Sequence, residues 1–100
     1  MSILQIQGAV NMGEVSVIYR ILPADIEADV EVIAKKAVGI AETEKLKVRG
    51  YQVIDIAFGL RGLIINLVMP DTGGLSDKME KLFNEIDNVQ SVEVMDLSLV

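Results

Sequence analysis

Apolar residues return at two different periods along the chain, and the alternation between those periods outlines a fold. From Glu14 to Leu22 the period is two, with Val15, Val17, Tyr19 and Ile21 on one parity, as in a strand with one buried face. Pro23 stops it. Asp25 or Asp29 is then positioned to cap a helix by accepting from its unpaired N–H groups, and Val30, Ile33, Ala34, Ala37, Ile40 and Ala41 recur every three or four residues. Gly39 within that stripe costs ~1 kcal/mol relative to alanine, which predicts a helix that ends early or frays. A second strand follows around Tyr51 to Phe58. The third places Leu63, Ile65, Leu67 and Met69 on one face and Ile64, Asn66 and Val68 on the other, apolar enough on both for a central position. Pro70 ends it, and Asp71-Thr72-Gly73-Gly74 reads as a loop. Ser76 is expected to cap a second helix, in which Met79, Leu82, Phe83 and Ile86 fall at i, i+3, i+4 and i+7. Asp87-Asn88 turns into a last strand, Gln90 to Val100. Its apolar residues change parity between Val94 and Met95, which predicts either a bulge near Met95 or a departure from the sheet there.

The order is βαββαβ. With right-handed crossovers it gives an α+β, ferredoxin-like sandwich, a four-stranded antiparallel sheet with two helices on one face. Residues 13–100 form that domain. Residues 1–12 read as an N-terminal extension outside the fold, Met12-Gly13-Glu14 being a plausible start in its own right; the half-alternating Ile3-Leu4-Gln5-Ile6-Gln7 is consistent instead with an added edge strand.

Composition narrows the function more than the fold does. One hundred residues, 51% apolar with 8 Gly and 2 Pro, make one globular domain. No apolar run approaches the ~20 residues of a membrane helix, and the first residues lack the features of a signal peptide. A cytoplasmic protein with no membrane partner is expected. The absence of Cys and His excludes thiol redox chemistry, the usual zinc sites and the common neutral-pH general base, and no cofactor site is discernible. A net charge of −6 disfavours direct contact with nucleic acid.

The absent chemistry points the same way. An RNA-recognition domain stacks bases on aromatic residues of its central strands, and here those strands offer Tyr19 alone. Gly59-Leu60-Arg61-Gly62 has the spacing of a KH-domain GxxG loop, but it joins strands instead of helices. Lys45-Leu46-Lys47-Val48-Arg49, the one basic cluster, reads as a solvated strand entrance. Asp71, Asp77 and Asp96 have ordinary cap, loop or solvent roles, and no carboxylate pair or activated nucleophile is discernible. The chain reads as a binding protein, not an enzyme. Its one suggestive feature is the hairpin tip, where Phe58 beside Gly59 is either a plug for the core or a contact residue.

The chain resembles the archaeal elongation factor 1-beta family over about Met12 to Val100. The resemblance rests on Gly13-Glu14-Val15, Leu22-Pro23, Ile56-Ala57-Phe58-Gly59-Leu60, Asp71 with Gly73-Gly74, and Val89-Gln90-Ser91-Val92-Glu93-Val94-Met95-Asp96-Leu97-Ser98-Leu99. It implies a guanine-nucleotide exchange factor that binds the GTPase elongation factor 1-alpha and promotes GDP release and GTP loading during translation. It also implies a contact surface made of the hairpin turn, Phe58, Gly59, Leu60 and Arg61, and of the C-terminal residues Leu97, Leu99 and Val100. Leu99 stands where eukaryotic relatives carry a lysine that disturbs the magnesium site of the GTPase, so exchange here is expected to rely on apolar wedging, with Arg61 the nearest replacement cation by sequence. The rival is an ACT-like regulatory domain that binds small ligands.

Overall fold

The computed structural model describes residues 13–100, and the expectations for residues 1–12 lie outside them. The elements are β1 (Glu14–Pro23), α1 (Val30–Thr43), β2 (Lys47–Ala57), β3 (Leu60–Pro70), α2 (Leu75–Asn84) and β4 (Val89–Leu99). The strands form one antiparallel sheet in the order β2-β3-β1-β4. That is the ferredoxin-like arrangement expected from the sequence.

β1 and β3 lie in the centre because their alternate residues are the most apolar in the chain. Val15, Val17, Tyr19 and Ile21 pair with Met69, Leu67, Ile65 and Leu63, and all eight are buried under the helices. From α1, Val30, Ile33, Ala34, Ala37 and Ala41 cover them, and from α2, Met79 and Phe83 do so. Tyr19 sits at the heart of this layer. Its ring meets Phe83 edge to face at 5.3 Å and 87°, and its hydroxyl donates to the Ser76 carbonyl at 3.0 Å.

Burial, assisted by the carboxylates of Glu80 and Asp77, holds the Tyr19 phenol well above its ordinary pKa. A raised acid pKa contributes stability that is complete below the unfolded value, about pH 10, and is lost as pH rises from there toward the folded value. Tyr19→Phe is therefore expected to lose about 1 kcal/mol at neutral pH with the hydrogen bond, and to show a flatter decline in stability above pH 10. Denaturant titrations at several pH values measure both effects.

Local chemistry accounts for the helix ends, with some departures from the sequence pattern. Asp29 is the cap of α1, accepting from Glu31 N and Val32 N, while Asp25 closes a short turn on Glu27 N. Gly39 neither ends nor frays the helix, which runs on to Thr43, because the buried stripe continues to Ala41 beyond it. The end is a Schellman motif, with Leu46 N donating to Ala41 O and Lys45 N to Glu42 O. Lys45 holds the left-handed position at φ 64°, where glycine is usual. Lys45→Gly is expected to raise stability by about 1 kcal/mol, read as a higher denaturation midpoint at an unchanged m-value. Ser76 is not the cap of α2. That position is Gly74 at φ 85°, without a side-chain hydrogen bond, and Ser76 lies inside the helix.

β2 also departs from expectation. It begins at Lys47, not near Tyr51, so Lys47 and Arg49 belong to an edge strand and not to its entrance. Pairing with β3 decides this: Lys47 lies opposite Val68 and Val48 opposite Leu67.

Candidate functional site

The hairpin tip is two residues, Phe58 and Gly59, between the paired Ala57 and Leu60. Both have positive φ, 52° and 84°, which the tight primed turn of a twisted hairpin requires. Asparagine is the favoured residue at the first position, and a phenylalanine in the left-handed region costs roughly 1–2 kcal/mol. Phe58 gains nothing inside the fold in return. It is 101% exposed, so it does not plug the core.

The flanks of the tip are shaped by a bulge and a close side-chain contact. Ile56 is the extra residue of a bulge, and its side chain lies over Gly62, where an added Cβ would come within 3.0 Å of it. Gly62 therefore belongs to β3 and not to the turn. Leu60 is half-buried, and Arg61 is exposed opposite Asp55. Ile26, in the loop after β1, is also exposed at this end of the sheet. Sequence reasoning missed it, and an isolated isoleucine among Asp25 and Glu27 was the available signal.

The C-terminal residues form a second patch. β4 carries the expected bulge: Ile18 pairs with Asp96 but Tyr19 with Val94, leaving Met95 extra. The bulge brings Val92, Val94, Leu97 and Leu99 to one face, opposite Ile21, Tyr19, Val17 and Val15. This is the face the helices cover. Only Val92 is buried there, whereas Leu97 is 52% exposed, Leu99 76% and Val100 69%. α2 is ten residues long, about 15 Å, too short to roof the whole of β4. An apolar shelf remains, which includes Val94 and Met95 as well as the residues expected from the sequence.

The fold does not bring the two patches together. β3 from Leu60 to Met69 spans ~30 Å, and Met69, Val15 and Leu99 lie in one cross-strand row at its far end. Tip and shelf thus occupy diagonally opposite corners of the sheet. Arg61 is consequently no substitute for a cation beside Leu99. The basic residue in the row of Ser98 is Lys47, joined through Val68 and Ser16 and ~14 Å away across three strand spacings.

The sequence and the fold have counterparts among known proteins. A sequence model of the EF-1 guanine nucleotide exchange domain matches residues 16–100. The chain belongs to that exchange-factor family. Its relatives include elongation factor 1-beta of Archaeoglobus fulgidus, 33% identical over 89% of this chain and 100% of the relative. Elongation factor 1-beta of Thermofilum pendens is 35% identical, over 87% of this chain and 96% of its own. Among solved structures, the C-terminal domain of the MgtC protein from Mycobacterium tuberculosis aligns with a TM-score of 0.63, covering 93% of this chain and 94% of that one. At 12% identity that likeness extends to the fold alone. With membership of the exchange-factor family, the ACT-like alternative loses its basis. No helix among the described residues is long and apolar enough to cross a membrane.

Proposed function

We propose that this protein promotes release of GDP from a GTPase of the elongation factor 1-alpha kind in the cytoplasm, by holding it at two separate points. The observation that carries this reading is Phe58, wholly exposed in a conformation that costs the fold energy. Strain of this sort is retained where it has a use. An aromatic ring presented on a two-residue hairpin turn has few torsions to lose on entering a pocket, and aromatic anchors of this kind dominate interface energetics.

Magnitudes require the second point. Accelerating GDP release a thousandfold takes ~4 kcal/mol, whereas burying one phenylalanine contributes about 1.5–3 kcal/mol. Leu97, Leu99 and Val100 supply the remainder from the opposite corner. Two contacts ~30 Å apart on a stiff sheet also suit a GTPase built of more than one unit, because docking at both fixes their relative orientation. A shift of that kind weakens nucleotide binding without a lysine at position 99. Coupling is reciprocal, so the GDP-loaded GTPase binds the factor less tightly than the empty one does.

Release of a fluorescent GDP analogue from the matching elongation factor 1-alpha tests the reading, with and without this protein, at two magnesium concentrations. Acceleration that persists at both magnesium levels is expected. No acceleration of an active GTPase would overturn it.

A further inference from the structure

Two loops meet at the end of the sheet that carries the hairpin tip. Ile21 lies opposite Leu63 and Ala57 opposite Leu60. Antiparallel counting therefore brings Ala24, the first residue of the β1–α1 loop, level with the pair that closes the tip, one strand spacing or ~5 Å from β3. Ala24 N donates to Asn88 O at 2.7 Å, which ties this loop to the one between α2 and β4. The chain enters β1 at the other end, where Asp71 N donates to Gly13 O.

Within the first loop the backbone around Ile26 is fixed. Asp25 accepts from Glu27 N through its side chain at 2.8 Å and from Ala28 N through its carbonyl at 3.2 Å, and Asp29 caps α1. Ile26 is the second residue of that closed turn and is 66% exposed. A lone exposed isoleucine is ordinary on a surface; this one stands on an ordered turn beside the tip, in the most acidic stretch of the chain. There is no Lys or Arg between Arg20 and Lys35 or after Lys81. The two tied loops present Asp25, Glu27, Asp29, Glu85 and Asp87, all exposed. Lys36 borders the last two across the groove between the helices, which leaves carboxylates in excess.

We propose that Ile26 contacts the same GTPase as Phe58, entering an apolar depression whose surround is basic. The inference rests on the exchange reading. Continuity with the tip supports the occupant, because a partner that accepts Phe58 at the end of the hairpin reaches the loop one strand away. Charge then selects which surface fits there. Carboxylates about an apolar side chain favour Lys and Arg on the partner and penalise an acidic surface; such rim charges act on the association rate and its salt dependence, while the apolar contact acts on affinity. Two anchors on adjacent strands also fix the orientation of the tip contact, which a lone ring does not.

The test is release of a fluorescent GDP analogue from the matching elongation factor 1-alpha as a function of factor concentration, for the full chain and four variants, at low and at physiological salt. The Ile26 side chain is exposed and the turn is closed by Asp25, so Ile26 variants keep the fold, as denaturant titration checks. Ile26→Ser is expected to raise the concentration for half-maximal exchange roughly tenfold, and Ile26→Leu to restore the parental value within about twofold. For the parent that concentration rises with salt. Glu27→Lys raises it at low salt and flattens the dependence. A parental half-maximal concentration for Ile26→Ser overturns the proposal, as does a lower one for Glu27→Lys. A parent that accelerates nothing removes the exchange reading and this contact with it; exchange slowed by Phe58→Ala but not by Ile26→Ser removes the contact at Ile26 alone.

Discussion

Replacing Phe58 by alanine slows nucleotide exchange by about 10- to 100-fold while leaving stability within ~0.5 kcal/mol of the parent. The first figure follows from losing the ~1.5–3 kcal/mol of an aromatic anchor, and the second from the wholly exposed ring, which takes no packing with it. Phe58→Asn sharpens the test, because it separates the two quantities in sign. Asparagine suits the left-handed first position of the turn, so this variant is expected to be more stable than the parent by about 1 kcal/mol and yet deficient in exchange. Stopped-flow GDP release and denaturant titration on the same preparations measure both. Parental exchange rates in the two variants would make the ring a bystander.

Phe83→Ala has the opposite profile, with a global loss of about 3–5 kcal/mol. Phe83 is fully buried and is the edge-to-face partner of Tyr19, the residue that also ties β1 to α2 through Ser76. For a domain of this size each kcal/mol moves the midpoint by ~4–8 °C, so a Tm lower by about 12–40 °C is expected in a thermal scan. A loss below 1 kcal/mol would mean that the neighbouring side chains collapse into the vacated space.

Both expectations depend on what the residues alone made legible. The strand parities, the helical stripes and the stop at Pro70 specified the order of elements and most of the core, because burial of one face imposes a period that chain geometry cannot disguise. The bulge at Met95 was legible for the same reason, as a change of parity. Helix ends were less so: Ser76 and Gly39 each obey a local preference that packing of the adjoining stripe overrides. The start of β2 was obscured because Lys47 and Arg49 are unremarkable in solvent, and only their pairing with β3 makes them strand.

For function, the sequence determined the family, since the exchange-domain model matches residues 16–100 of it. Whether Phe58 faced the core or solvent was beyond it, because an apolar ring is compatible with both. The tertiary structure decided that, through a two-residue turn too tight to fold the ring back. It also decided that tip and C-terminus stand at opposite corners and that Arg61 is far from Leu99. Those are distances between residues remote in sequence, and strand order and register set them.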